Sequence, residues 1–165
     1  MKKLLVVPIL LLSLFTQAET IQCKVVGVTD GDTIKCLTND KKQIKVRLFQ
    51  IDAPESGQAY GQKAKQALSD MIFNKTVTID AVKKDRYKRT LGTIWLTLSY
   101  NSNQLDYSDA LLLVNYEMIR QGYAWHYPFD KKNPEYIQIE KEAKKAKRGL
   151  WADKNPIPPW EYRKQ

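Results

Sequence analysis

The sequence is short of the residues that most metal centres use. It has one histidine, His126, and two cysteines, Cys23 and Cys36. A multi-histidine centre and a four-cysteine zinc site are therefore excluded. Seven glycines and seven prolines in 165 residues are too few for a collagen-like or low-complexity chain. After the first twenty residues no long apolar run occurs, and no repeat period or linker-like stretch divides the chain. What is present is a globular composition, 43% hydrophobic and 27% charged, of a size for one domain. The charge is lopsided: 27 Lys+Arg against 18 Asp+Glu leave +9. Such a surplus favours polyanionic partners, nucleic acid or an anionic membrane surface. For the membrane surface, the amphipathic helix with bulky apolar anchors is missing.

The first residues have the layout of a secretory signal peptide. Lys2 and Lys3 precede an apolar stretch from Leu4 to Phe15, interrupted only by Pro8 and Ser13, and Thr16-Gln17-Ala18 offers small residues at the cleavage site. The stretch is too short for a membrane span. The expected boundaries are a signal peptide over 1–18, a domain over 19–154 and an extended C-terminal tail over 155–165. Gln22 before Cys23 argues against lipidation. Removing 1–18 takes away two lysines and no acid, leaving +7. The expectation is an exported protein, periplasmic or extracellular, free of the membrane after cleavage.

Export changes the reading of the cysteines. Cys23 and Cys36 flank β-branched segments joined by Asp30-Gly31, a strong hairpin signal. Folding about that turn sets the two cysteines nearly opposite each other, so a Cys23–Cys36 disulfide is geometrically plausible; two half-buried thiols are the alternative.

Alternation and turn signals predict strands over 21–28, 33–37, 43–51, 76–82 and 91–98. Tyr60, Ala64, Leu68, Met71 and Ile72 make the apolar stripe of a helix over 60–73, which reads as ordinary core packing. Residues 99–109 read as a surface loop. Asn115 reads as the N-cap of a helix over 116–121, stopped by Gly122. Asn133-Pro134-Glu135 opens a last helix carrying Tyr136, Ile139, Ala143, Ala146 and Leu150, stopped by Gly149. The fold class is α+β, mainly β: a five-stranded OB-type Greek-key barrel with about three helices packed outside.

Three acids fall at strand ends, Asp32 after the first turn and Asp52 and Glu55 after the third strand. A curled barrel brings those ends together, and hard divalent ions take such oxygen ligands. Each acid also has a plain reading, as turn residues or a helix-start acid. Arg47, facing away from Ile44, Val46 and Leu48, and Arg89, at the end of the charged run 83–89, add planar forks that hold two phosphate oxygens. The run by itself reads as a solvated loop. Acids, arginines and Tyr87 together point to phosphodiester chemistry.

Asp30-Gly31-Asp32-Thr33, the run from Val46 to Glu55 (VRLFQIDAPE) and Asp85-Arg86-Tyr87-Lys88-Arg89 resemble the three active-site blocks of the thermonuclease (staphylococcal nuclease-like) family. Val114-Asn115, Arg120-Gln121-Gly122-Tyr123-Ala124 and Arg148-Gly149-Leu150-Trp151 are similar to its later blocks. The resemblance spans roughly Cys23 to Trp151. It implies an OB-type barrel that hydrolyses DNA and RNA with Ca²⁺ and leaves 3′-phosphate ends. By the same resemblance Asp32 and Asp52 match the Ca²⁺ carboxylates, and Ala53 matches a backbone-carbonyl ligand. Glu55 matches the acid that activates water, Arg47 and Arg89 the phosphate-binding arginines, and Arg86 and Tyr87 positions near the terminal phosphate. Tyr127 is the candidate for stacking on the nucleotide, with Trp125 the alternative. Departures are Ala53 where the best-known member has Thr, Lys88 in place of Gly, a longer stretch over 100–112 and a shorter connection after Glu55. No stable protein partner is implied, and the expectation is a monomer. The rival reading is a catalytically silent nucleic-acid-binding barrel, which would be expected to have lost an acid or arginine of the set.

Overall fold

A computed structural model describes residues 19–98, 110–129 and 133–165. The segment 1–18 and the stretch 99–109, predicted as a surface loop, lie outside the described residues. Strand β1 (Glu19–Asp30) pairs antiparallel with β2 (Thr33–Thr38), and β2 with β3 (Gln43–Leu48). On its other edge β1 pairs with β5 (Thr76–Lys84), which pairs with β6 (Thr90–Leu98). A parallel ladder between β3 and the start of β6 closes the ring into a five-stranded barrel of OB type. The end of β6 carries one further strand, β7 (Ala110–Leu113).

The barrel closes because its strands alternate. Val25, Ile34, Cys36, Val46, Leu48, Ile79 and Ile94 point inward and are fully or almost fully buried. Each large aliphatic side chain among them contributes about 1.5–3 kcal/mol by leaving water. The Cys23–Cys36 disulfide forms inside this layer, with Cα atoms 5.6 Å apart. Register shifts in β1 between Val25 and Gly27 and between Val28 and Asp30 are bulges. They raise local twist and re-aim the turn that follows.

The helices differ from expectation in detail. Helix α1 (Gly61–Ile72) presents Ala64, Leu68 and Ile72 to the core, as the stripe predicts. Helix α2 (Val114–Arg120) starts earlier than predicted, with Leu113 at its N-cap. Asn115 is therefore no cap. Its buried amide accepts from the Ile94 N–H at 2.9 Å and donates to Phe49 O at 3.0 Å and Gly92 O at 3.3 Å. Helix α3 (Pro134–Lys145) is capped by Asn133 as predicted, but it ends before Gly149, which opens a short 3-10 turn, Gly149–Ala152. Lys147, at φ +52°, closes the helix first, with the Arg148 N–H donating to Ala143 O at 3.0 Å; Gly149 serves a tertiary crossing instead. Gly122 and Gly149 both have positive φ, +75° and +51°, and a Cβ on either would strike the other's segment at 2.2 Å. The Leu150 N–H donates to Gly122 O at 2.8 Å across this crossing. Only glycine permits two backbones so close.

The strand predicted over 43–51 is broken. Gln50 takes φ +61°, and Ile51–Asp52 (β4) leave the barrel to pair with Trp125–His126 (β8). The tail is extended only as far as Pro158; Pro159–Tyr162 then make one turn of helix, α4, that packs back on the barrel.

Candidate active site

The β1–β2 turn, the chain break after β3 and the β5–β6 hairpin converge on one cleft of about 750 Å³. Asp30 pairs with Thr33, so the turn residues are Gly31 and Asp32 rather than Asp30-Gly31. Gly31 is required by space: a Cβ there would lie 2.6 Å from the Ala64 and 2.7 Å from the Ala53 side chains. Helix α1 thus clamps the turn, and Asp32 is buried beneath it.

The Asp32 carboxylate accepts from the Thr33 hydroxyl at 2.8 Å and from the Ala53 N–H at 3.1 Å, and Arg47 Nη2 lies 3.1 Å away. The same Arg47 nitrogen donates to Asp52 Oδ1 at 2.6 Å. Arg47 therefore bridges the two carboxylates. Burial works against its charge, but Asp32 and Asp52 outweigh that and hold it protonated beyond its ordinary value. For Asp32 the balance goes the other way. Burial raises its pKa to about 6; Arg47 pulls it down, and Asp30 adds to the rise. The site keeps a carboxylate that its own neighbours do not fully neutralise.

Such a pocket fits a hard cation. Among the described residues no three His, Cys, Asp or Glu side chains form a metal cluster. An ion here would take the two aspartates, a backbone oxygen such as that of Ala53, and water, the ligand set of an open oxygen site.

The arginine side of the cleft is built by the 85–89 loop. Asp85 accepts from the N–H groups of Tyr87 and Arg89, each at 2.9 Å, and from Arg89 Nε at 2.7 Å. Burial opposes ionisation of Asp85, but the Arg89 side chain and these N–H groups lower its pKa overall. Arg89 is thereby oriented through Nε, a bond that does not occupy the terminal nitrogens of its fork. Lys88 sits at φ +62°, where a glycine would be at ease. The Tyr87 ring is 64% exposed, with the guanidinium carbons of Arg86 and Arg89 at 4.8 and 5.4 Å from its centroid.

Every predicted polar site residue reaches this cleft: Asp32, Arg47, Asp52, Glu55, Arg86, Tyr87 and Arg89 line it or bond within it, and so does Ala53. Tyr127 lines it as well. Trp125 does not; it packs edge-on against Trp151 and Trp160, with centroids at 4.2 and 5.7 Å. Sequence reasoning missed one member, Arg163 of the tail. Its Nη2 donates to Asp52 Oδ2 at 2.6 Å, and its Nη1 to Glu55 Oε1 at 2.6 Å and Asp52 Oδ1 at 3.2 Å. The hydrogen bonds to Asp52 first, then to Glu55, raise its pKa. No local pattern around Arg163 marks it, because its partners lie more than 100 residues away.

Carboxylates bridged by Arg47 and Arg163 at the mouth of an OB-type barrel, with Arg89 and the exposed Tyr87 across the cleft, fit a hydrolase of phosphodiester bonds. The family model for the staphylococcal nuclease homologue matches residues 45–153. An uncharacterized endonuclease of Haemophilus influenzae is 41% identical, over 99% of this chain and 86% of its own. A micrococcal nuclease of Shigella flexneri is 41% identical, over 86% of this chain and 79% of its own. The protein ParB of Escherichia coli is 42% identical, over 86% and 78%. The chain belongs to the staphylococcal nuclease family and is a nuclease, acting on nucleic acid.

Proposed function

We propose that this nuclease is exported, depends on Ca²⁺ and is indifferent to the sugar, cutting both DNA and RNA and leaving 3′-phosphate ends. The observation that carries the reading is the convergence of Asp32, Asp52 and Glu55 with Arg47 and Arg89 on one cleft. Asp32, Asp52 and the Ala53 carbonyl would hold the ion, and a bound Ca²⁺ would polarise a phosphoryl oxygen. An all-oxygen, partly hydrated site favours Ca²⁺ over Mg²⁺, which demands a tighter octahedron.

The chain's own groups supply the rest. Glu55 would orient a water and accept its proton as that water attacks phosphorus in line; the bond to the 5′-oxygen breaks, that oxygen takes a proton from water to leave as a hydroxyl, and the phosphate stays on the 3′ side. Arg47 and Arg89 would hold the non-bridging oxygens as charge grows on them, and such preorganised electrostatics should supply most of the rate enhancement. Arg86 and Tyr87 would bind a terminal phosphate, and Tyr127 would stack on a base. The leader-like segment 1–18 supports export, as does a disulfide of the kind that persists in oxidising compartments. The reading includes a monomer with no stable protein partner.

Digestion of DNA and of RNA with added Ca²⁺ and in excess chelator tests the reading. Both substrates should be cut only with the ion, and end analysis should show 3′-phosphates. Full digestion in chelator would overturn the metal assignment.

A further inference from the structure

The tail carries a residue that the family match does not cover. The matched region ends at residue 153, yet Arg163 is bonded to two acids inside it. Its fork takes both oxygens of Asp52, and Nη1 is shared with Glu55. Arg47 is already on Asp52 Oδ1. Both oxygens of the buried Asp52 are therefore taken by guanidinium groups.

Charge explains why Arg163 is there. Three acids, Asp32, Asp52 and Glu55, face two bonded arginines, Arg47 and Arg163. This bonded set is one positive charge short. Withdrawing one arginine and admitting one divalent cation balances it. A guanidinium on both Asp52 oxygens and an ion about 2.3–2.6 Å from the same carboxylate would crowd like charges together, so the two occupants exclude each other.

The tail is also built to be exchanged. Helix α4 has four residues, too few to be stable alone. It is held by side contacts: Gln58 Nε2 donates to Ile157 O, and the Trp160 ring meets Trp125, Tyr127 and Phe129 edge-on at 5.7, 6.3 and 5.9 Å. The Arg163 side chain itself remains 39% exposed. Such an element has a low local opening free energy.

We propose that Arg163 is a built-in competitor of the divalent ion: the docked tail holds Asp52 and Glu55 with its guanidinium, and ion binding displaces it and releases α4. Arg163 thereby sets the ion affinity of the site. This rests on the calcium reading above. The apparent affinity is lowered by the fraction of molecules whose site is open, so removing the competitor restores the intrinsic value.

The test is calorimetric titration of Ca²⁺ into the chelator-treated wild-type protein, Arg163→Gln and Arg163→Lys, with hydrogen exchange of residues 159–165 in parallel. Arg163→Gln should bind Ca²⁺ about 10-fold more tightly or better, with Arg163→Lys between, since Lys keeps the charge but loses the fork. In the wild type, Ca²⁺ should speed exchange in 159–165. Equal affinities, or a tail more protected with Ca²⁺, overturn the competitor and leave the calcium reading standing. Weaker binding by Arg163→Gln would make Arg163 a supporter of the ion and overturns it too. Absence of Ca²⁺ binding in all three proteins overturns both readings.

Discussion

Asp32 and Glu117 are both buried acids held by an arginine, and they titrate in opposite directions. Asp32 in the cleft has its pKa raised to about 6, chiefly by burial. Glu117, on the helical side, has its pKa lowered: the Arg120 side chain bonds it at 2.6 and 2.5 Å and outweighs burial, and Gln121 adds a further bond at 2.6 Å. The helical side satisfies this acid locally, within one turn. The cleft gathers three acids from two segments remote in the chain and leaves their charge incompletely matched. The first arrangement favours stability, and the second leaves a strongly charged cleft at some cost in stability.

The sharpest way to break that contrast is to alter chemistry without altering fold. Glu55→Gln, Arg47→Lys and Arg89→Lys should each cut turnover by at least about 10²-fold, since each removes a proton acceptor or a bidentate fork. Thermal melts should show the variants folded. A near-normal rate in any one would remove that residue from the chemistry.

Asn115→Ala should behave in the reverse sense. It strands the Ile94 N–H and the Phe49 carbonyl, together worth about 3 kcal/mol, and lowers Tm by roughly 6–12 °C. The protein that stays folded should keep kcat within a few-fold. A severe loss of kcat at unchanged Tm would move Asn115 from the scaffold to the site.

Reducing the disulfide comes next. Cys23 and Cys36 enclose a short loop, so the chain-entropy gain is about 2–3 kcal/mol. The strand they staple leads to Asp32. Reduction should lower Tm without unfolding the barrel, and thiol titration of denatured, unreduced protein should find no free thiol.

The two acids can then be separated by pH. In chelator, Asp32 ionises in the unfolded chain near 3.8 but in the fold only near 6. The fold therefore binds more protons between these values, and stability relative to Asp32→Asn should rise as pH falls through that window. Glu117 has the opposite sign: its contribution is present above the unfolded value of 4.5 and is lost as pH falls through its lower folded value. The advantage of wild type over Glu117→Gln should be below about 1 kcal/mol. Denaturant midpoints between about pH 3 and 7 measure both; equal slopes would erase the distinction between the regions.

Most of the barrel was legible because its signals are local. Alternation around Val46 and Leu48, the stripe Ala64–Leu68–Ile72 and the Asn133-Pro134 start are each written within a few residues or a few turns. The acids and arginines were legible as a set, because their spacing matches blocks of one family. Misreadings arose where a local signal met a distant partner. Asn115 has the chemistry of a cap, but β6 and the end of β3 compete for its amide and win, burying it inside α2. Gly149 has the chemistry of a helix stop, but Lys147 takes the left-handed turn first and Gly149 is used in the crossing with Gly122.

The sequence alone pointed to the barrel class and set the two cysteines on one hairpin, because periodicity and turn chemistry are properties of neighbouring positions; it singled out the five charged residues through their match to the blocks of one family. The tertiary structure alone decided three things. It broke the strand at Gln50 so that Asp52 turns toward Asp32 and Arg47. It chose Tyr127 over Trp125 for the cleft. It brought Arg163 onto Asp52 and Glu55. Each depends on a contact between segments remote in the chain, which burial and charge arrange only once the barrel has closed.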